Sequence, residues 1–176
     1  SIANALLNDS YVSIAHALNY YQMFDQGGAT VVSVTWREGK KFKVDGHVFQ
    51  FSKVKKEMYF GFTEQTIGGK TVRIAEAEKS LIDYLYLDKS FGSASLVFEK
   101  LRDHSRELDL AKLQNYAVRS GYTVARKIGF MMDALKLDSS IAHQAIEDNR
   151  GISRFTADSK TFNAQWRLYY DDRIIG

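Results

Sequence analysis

Three carboxylates near the middle of the chain have the spacing that offers the most specific chemistry: Glu76, Glu78 and Asp83. Carboxylates that converge within a few ångströms can hold the metal ion of a nuclease. At roughly 100° per residue, Glu78 projects onto the apolar side of a helix, whereas Glu76 and Asp83 share the opposite, solvated side with Lys79. This spacing argues against a shared metal site. A nucleic-acid-processing enzyme that uses Glu78 remains the alternative.

The expected burial of Glu78 sets a requirement for its charge. An ionised carboxylate on an apolar helix face is costly unless a cation or backbone N–H groups compensate it. Arg73 leads into the same helix and is the first candidate. We therefore expect a structural ion pair between Arg73 and Glu78 that fixes the corner between a strand and the helix.

The sequence lacks the common signatures of other catalytic sites. The absence of cysteine excludes disulfides, thiolate metal sites and cysteine nucleophiles. The four histidines are scattered without an i, i+4 pair: His16, His47, His104 and His143. Neither a glycine-rich phosphate loop nor a G-x-S-x-G elbow occurs. We expect no catalytic residue, no metal and no cofactor.

Composition gives broader limits. The chain has 176 residues, of which 45% are hydrophobic and 13% aromatic, enough for a folded core. No apolar run approaches the roughly 20 residues that span a bilayer, and no signal peptide is evident. The net charge is +3 and the pI is about 9.0. We expect a cytoplasmic protein with no membrane partner.

Basic residues concentrate between positions 37 and 56, where only Glu38 and Asp45 are acidic. The predicted DNA-binding residues are Arg37, Lys40, Lys41, Lys43, Lys53, Lys55 and Lys56. Lysines that contact phosphates give salt-dependent, sequence-independent affinity. Lysines also protect an edge strand from aggregation, and this alternative stays open. A second, smaller basic group is formed by Arg119, Arg126 and Lys127.

The elements that carry these residues follow from periodicity. Ser13 caps a first helix that Gly27-Gly28 ends. Alternation then predicts strands at Thr30–Trp36, Lys41–Val44, Val48–Val54, Met58–Phe62, Thr66–Ile67 and Lys70–Ile74. Asp45-Gly46 joins two of them in a hairpin, with Phe42, Val44, Phe49 and Phe51 inward and the lysines outward. The stretch Thr71–Leu87 passes from strand to helix.

The second half shows mainly helical spacing. Ser93 or Ser95, Asp109, and Asp138 or Ser139 can cap helices, and Val124–Leu135 is strongly amphipathic. Ala164–Tyr170 could add an edge strand. The pattern predicts a single α+β domain over residues 1–176, with a largely antiparallel sheet in the first half packed with a helical second half.

Five short motifs occur in order along residues 2 to 135. They are Tyr11-Val12-Ser13 before Ala17-Leu18-Asn19-Tyr20-Tyr21; Ser33-Val34-Thr35 before the basic hairpin; Met58-Tyr59-Phe60-Gly61; Arg73-Ile74-Ala75-Glu76-Ala77-Glu78-Lys79-Ser80-Leu81-Ile82-Asp83; and Leu108-Asp109 to Tyr116-Ala117. Together they resemble the AbiEi-type antitoxin C-terminal domain family, whose most specific signature is "RIAxxEKALLD".

The resemblance implies an antitoxin and transcriptional regulator of a type IV toxin–antitoxin system in abortive phage infection. Such an antitoxin counters a nucleotidyltransferase-like toxin without a stable complex and represses its own operon. Family members usually carry an N-terminal winged helix-turn-helix, which we expect this chain to lack. We therefore expect a non-enzymatic regulator that supports DNA binding through the basic hairpin. The alternatives are the nuclease-like enzyme and a structural interaction domain.

Overall fold

The computed structural model describes residues 9–25 and 28–175. The short helical lead-in that the sequence suggests for Ser1–Asn8 lies outside the described residues. The chain divides into two compact units, Ser1–Ser80 and Leu81–Gly176. The assignment of residues 1–176 to one functional domain stays a prediction.

A six-stranded sheet forms the frame of the first unit, in the order β3-β4-β2-β1-β6-β5. The strands are β1 Ser10–Val12, β2 Thr30–Thr35, β3 Lys40–Val44, β4 His47–Lys53, β5 Phe62–Ile67 and β6 Lys70–Ala75. The pairs β1–β2, β3–β4 and β5–β6 are antiparallel, whereas β1–β6 and β2–β4 are parallel. The sheet is therefore antiparallel-rich, and the predicted α+β class is confirmed.

The hairpin of β3 and β4 forms where the sequence predicts it. Asp45 and Gly46 both adopt positive φ, 48° and 80°, as a two-residue type I′ turn requires. Phe42 is then paired with Phe49. The predicted strand Met58–Phe62 is wrong: Lys56–Met58 is a 3-10 turn, and β5 begins only at Phe62.

Helix α1, Ile14–Tyr20, ends earlier than predicted. The N–H of Met23 donates to the carbonyl of Leu18, and the N–H of Gln22 donates to that of Asn19. These two bonds form a Schellman motif, in which Gln22 takes the left-handed position at φ 61°. Glycine usually occupies that position, so the predicted stop at Gly27-Gly28 was placed too late; Gly27 itself is outside the described residues.

Strand β6 passes almost directly into helix α2, Ala77–Leu87, which confirms the predicted strand-to-helix transition. The predicted solvated face of this helix is wrong, because every residue from Ala77 to Leu85 is buried. Lys79 is 0% exposed and Asp83 is 1% exposed, so both charged residues lie in the interior. A helix enclosed on all sides has no polar face, whatever its sequence pattern indicates.

The second unit is mainly helical. Its further helices are α3 Phe91–His104, α4 Leu110–Arg119, α5 Tyr122–Ala134 and α6 Ser140–Ile146. Asp109 caps α4 as predicted, accepting from the N–H of Lys112 at 2.9 Å. The cap of α3 is Ser90, whose hydroxyl accepts from the N–H of Ser93 at 3.1 Å, rather than Ser93 or Ser95.

A small sheet completes this unit, in the order β7-β9-β8: β7 Ser153–Arg154, β8 Thr161–Asn163 and β9 Leu168–Tyr170. The predicted edge strand at Ala164–Tyr170 is thus shorter and lies in the centre of the sheet. Trp166, 0% exposed, packs so closely on α5 that a Cβ atom at Gly129 would lie 2.1 Å from its ring. Its indole N–H donates to Asp133 at 2.8 Å.

None of the helices in the described ranges is long and apolar enough to span a bilayer. This agrees with the absence of a long apolar run in the sequence.

Gly61→Ala should lower the free energy of unfolding by about 3 kcal/mol, because strain and overpacking add. Gly61 has φ +78°, and an added Cβ would lie 2.8 Å from Cγ and 2.9 Å from Cβ of the buried Lys79. The matched control is Gly68→Ala, since Gly68 also has positive φ but no heavy atom within 4 Å of the added Cβ. Urea unfolding should show a loss of only about 1 kcal/mol for the control. Equal losses of stability in Gly61→Ala and Gly68→Ala would mean that the Lys79 side chain moves aside to admit the added methyl group.

Candidate nucleic-acid interface

The seven predicted DNA-binding residues are all exposed and all belong to the first unit. Lys40, Lys41 and Lys43 lie on β3, Lys53 ends β4, and Arg37, Lys55 and Lys56 lie in the adjoining segments. No single sheet face carries them all. Cross-strand partners share a face, so Lys40 and Lys53 lie on one face and Lys41 and Lys43 on the other.

The partition of the hairpin differs from the predicted one. Lys40 is paired with Phe51, so it shares the face of the phenylalanines instead of pointing away from them. Val44, predicted to be buried, is 47% exposed. The reason is that β3 is an edge strand near the hairpin turn, where a side chain has neighbours on one flank only.

Three phenylalanines form a row on that face: Phe42, Phe49 and Phe51, which are all half-buried. The ring of Phe42 is 5.5 Å from that of Phe49 and 5.9 Å from that of Phe51, with interplanar angles of 21° and 15°. The rings are therefore nearly parallel. This set is called the phenylalanine row below.

A cleft of about 510 Å³ lies where β2 ends, and Phe51 belongs both to its lining and to the phenylalanine row. The other lining residues are Asp9, Thr35, Trp36, Arg37, Glu38 and Lys40. The cleft thus combines two aromatic side chains, two cations, two carboxylates and a hydroxyl. It is called the Trp36 cleft below.

Trp36 holds two of the predicted cations. The guanidinium carbon of Arg37 lies 4.4 Å from the indole centroid, and the ammonium of Lys56 lies 4.9 Å from it. Both distances suit cation–π attraction. Arg37 also pairs with Asp9 at 2.5 Å. The Arg37 side chain is therefore fixed at the rim of the cleft, and part of its charge is compensated.

Sequence reasoning missed Trp36 and Asp9 as parts of this site. The cations are visible as a cluster in one segment of the sequence. The site also contains an aromatic residue that contacts two of them and an acid from a distant segment. For Trp36 a signal was available, because it directly precedes Arg37 at the end of a β-branched strand. Nothing in the sequence links Asp9 to position 37.

A buried lysine organises the other face of the sheet. Lys79 donates to the hydroxyl of Tyr11 at 3.0 Å and to the carbonyl of Met58 at 3.2 Å. Its ammonium also lies 4.4 Å from the ring centroid of Phe60. Together with Gly61, these residues are called the Lys79 centre. It joins three of the quoted motifs, which are distant in sequence.

Arg73 lies near this centre and bonds to neighbours that the sequence did not suggest. It donates to the hydroxyl of Tyr59 at 3.1 Å and lies 3.5 Å from a carboxylate oxygen of Glu64. The bond to Tyr59 is the main reason why the pKa of Arg73 is raised. Glu78 is 8% exposed, so its expected burial is confirmed. The ion pair between Arg73 and Glu78 stays a prediction.

Acidic residues form no metal-binding cluster in the described part of the chain, where no group of three His, Asp or Glu side chains could hold an ion. Glu78 and Asp83 are both buried, which sequence spacing indicated for Glu78 alone. The nuclease alternative stays a hypothesis.

Two members of the smaller basic group are buried in the second unit, so they do not add to an exposed basic surface. Arg126, 3% exposed, donates to Ser153 at 2.9 Å and to Asn149 at 2.5 Å. Lys127 is 1% exposed, and its ammonium lies 5.5 Å from the ring centroid of Phe155. Burial, with a smaller effect of Lys89, lowers the pKa of Lys127 from 10.5 to about 8.

Lys127→Met should raise the free energy of unfolding at about pH 7 by about 3 kcal/mol, which is the cost of burying the ammonium. In the parent, the folded state loses this proton near a pKa of about 8, whereas the unfolded chain keeps it to about 10.5. Parent stability should therefore rise by about 1 kcal/mol between about pH 7 and about pH 9, and the variant should lack this rise.

Urea unfolding at both pH values measures the difference, with Lys136→Met as the control at an exposed lysine. The control should change stability by less than about 0.5 kcal/mol. A destabilised Lys127→Met variant, or a parent whose stability is flat over this range, would show that the ammonium is compensated in the folded state.

Comparisons with known proteins bear on the fold. No model of a known protein family matches the chain, and no curated protein does. The structure is similar to the crystal structure of RV2827C protein from Mycobacterium tuberculosis, with a TM-score of 0.62 and 10% sequence identity. The match covers 92% of this chain but 62% of that protein, so this chain spans less than two thirds of its length. At this identity the similarity shows a shared α+β fold and nothing about activity.

Proposed function

We propose that this chain is a non-enzymatic, cytoplasmic regulatory domain that contacts DNA through the β3–β4 hairpin and acts as an antitoxin. One observation carries the DNA-binding part: seven exposed cations gather on one hairpin and the segments that adjoin it. They cover both faces of the hairpin and are accompanied by half-buried aromatic rings, which solubility alone does not require.

The hairpin geometry suits phosphate contacts. Lys41 and Lys43 lie on one face two residues apart, so strand rise sets them about 7 Å from each other. Each ammonium can then meet its own phosphate. Because Lys56 lies against Trp36, its charge stays near the end of the hairpin. The resulting affinity is sequence-independent and falls with salt, as expected for a domain that supports a separate reader of the operator.

The antitoxin part of the proposal rests on the resemblance to the AbiEi-type family. In this proposal the chain belongs to a type IV toxin–antitoxin system of abortive phage infection. It counters a nucleotidyltransferase-like toxin without a stable complex and takes part in repression of its own operon. The Lys79 centre supports the resemblance at the level of packing, because three of the quoted motifs that are distant in sequence meet there.

Lys41→Glu combined with Lys55→Glu should weaken binding to duplex DNA by at least tenfold at about 50 mM salt, because phosphate contacts become repulsive. The slope of log affinity against log salt should fall by about 2. Anisotropy titrations at about 50 and about 200 mM salt measure both, with the upstream promoter and a scrambled duplex.

The matched control is Lys136→Glu combined with Lys160→Glu, two exposed lysines of the second unit with the same change in net charge. It should bind as the parent does. If both double variants lose affinity equally, the effect comes from net charge alone. If the hairpin variant binds as well as the parent, the lysines protect the strand edge and the chain is a structural interaction domain.

Co-expression tests the antitoxin part. Cells that express the nucleotidyltransferase-like toxin from the same operon should grow when this chain is also expressed, and the two proteins should not co-purify. Gly61→Ala should reduce the rescue, because it disturbs the Lys79 centre, whereas Gly68→Ala should not. Absence of such a toxin gene, or arrested growth despite a folded chain, would contradict the proposal.

A further inference from the structure

The strongest unassigned feature of the first unit is the continuous surface made by the phenylalanine row and the Trp36 cleft. We infer that this surface binds an unpaired strand of DNA, with bases stacked on the row and one base seated in the cleft. The inference rests on the proposed function and names the form of DNA that the hairpin takes.

The row has the properties of a stacking platform. Phe42 is offset-stacked on both Phe49 and Phe51, so the three half-buried rings form one stack that the paired strands hold in place before any ligand arrives. A base would extend this stack from a ring face that the neighbouring phenylalanines leave uncovered. Bases stack on aromatic side chains regardless of sequence, because every base has a π face. In a duplex the base faces are covered by their neighbours. An unpaired strand is therefore the form of DNA that can use these rings.

Charge on the same face suits the backbone of such a strand. Lys40 is paired with Phe51, and Lys53 is paired with Thr35, so both ammonium groups flank the row. Lys41 and Lys43 lie on the opposite face of the hairpin. The two faces of the hairpin therefore offer different contacts: phosphates alone on one, bases and phosphates on the other.

The cleft continues the row, because Phe51 belongs to both. Its volume of about 510 Å³ is in the range of small-molecule sites and has room for a base. Glu38 is exposed in its wall and can accept a hydrogen bond from the amino group of an unpaired base. Asp9 is paired with Arg37, and the Thr35 hydroxyl already accepts from the N–H of Arg37. Aromatic faces, acceptor groups and rim cations together match a nucleotide.

The test compares a single strand of about 20 nucleotides with its duplex, both at about 0.1 M salt, by fluorescence anisotropy. The parent should bind the single strand at least tenfold more tightly. Phe42→Leu combined with Phe51→Leu should lose at least tenfold in single-strand affinity and less than twofold for the duplex. Phe162→Leu, at a phenylalanine of the second unit that is 42% exposed, is the matched control and should bind as the parent does.

Tryptophan emission gives an independent readout. Trp36 lines the cleft, whereas Trp166 is 0% exposed and serves as an internal reference. The single strand should quench the emission of the parent but not that of Trp36→Phe. If the loss of two rings unfolds the hairpin, the double variant Lys40→Gln, Lys53→Gln is tested in place of the phenylalanine variant. The slope of log single-strand affinity against log salt should then fall by about 2.

The outcomes separate the inference from the proposed function. Equal affinity for single strand and duplex, both lost in the Lys41→Glu, Lys55→Glu variant, would overturn the inference and leave the proposed function intact. Unchanged single-strand affinity in the folded phenylalanine or lysine variants would also overturn the inference. Failure to bind either DNA would overturn both.

Discussion

The packing of the first unit depends on hydrogen-bond acceptors for one buried lysine, Lys79. An ammonium group at 0% exposure loses its water, so its N–H groups must find acceptors inside the protein. Tyr11 and Met58 supply an oxygen each, from β1 and from the segment before β5. The chain must also approach closely at Gly61, where a Cβ would collide with the lysine stem. The Lys79 side chain on α2 thus fixes the positions of strand β1 and of the segment before β5.

This arrangement separates the residues that pack the first unit from those that face solvent. Three of the motifs that carry the resemblance supply Tyr11, Met58, Phe60, Gly61 and Lys79, and these residues meet in one buried centre. Their pattern therefore specifies packing rather than chemistry. The exposed groups that can meet a ligand lie in the hairpin and the Trp36 cleft, where the resemblance is least specific.

Local rules predicted the elements that depend on local chemistry. Asp45-Gly46 forms its turn and Asp109 caps its helix, because both need only the neighbouring backbone. Prediction failed where distant contacts decide. Lys79 lies inside although its helical spacing indicated solvent. The early end of α1 is a local exception, because its bonds involve only neighbouring backbone but Gln22 takes a left-handed position that glycine usually fills. Register is a further example, since only strand pairing shows that Lys40 shares the face of Phe51.

The position of β3 at the sheet edge has a consequence for how the protein behaves in concentrated solution. An edge strand presents unpaired N–H and C=O groups to other copies of the chain, and like charges on β3 keep those copies apart. Salt weakens this repulsion over the same range in which it weakens phosphate contacts. If the hairpin binds DNA as proposed, the ions that release the DNA also remove the charge repulsion that opposes strand-to-strand association. The proposed function would then couple colloidal stability to DNA release through the same few lysines.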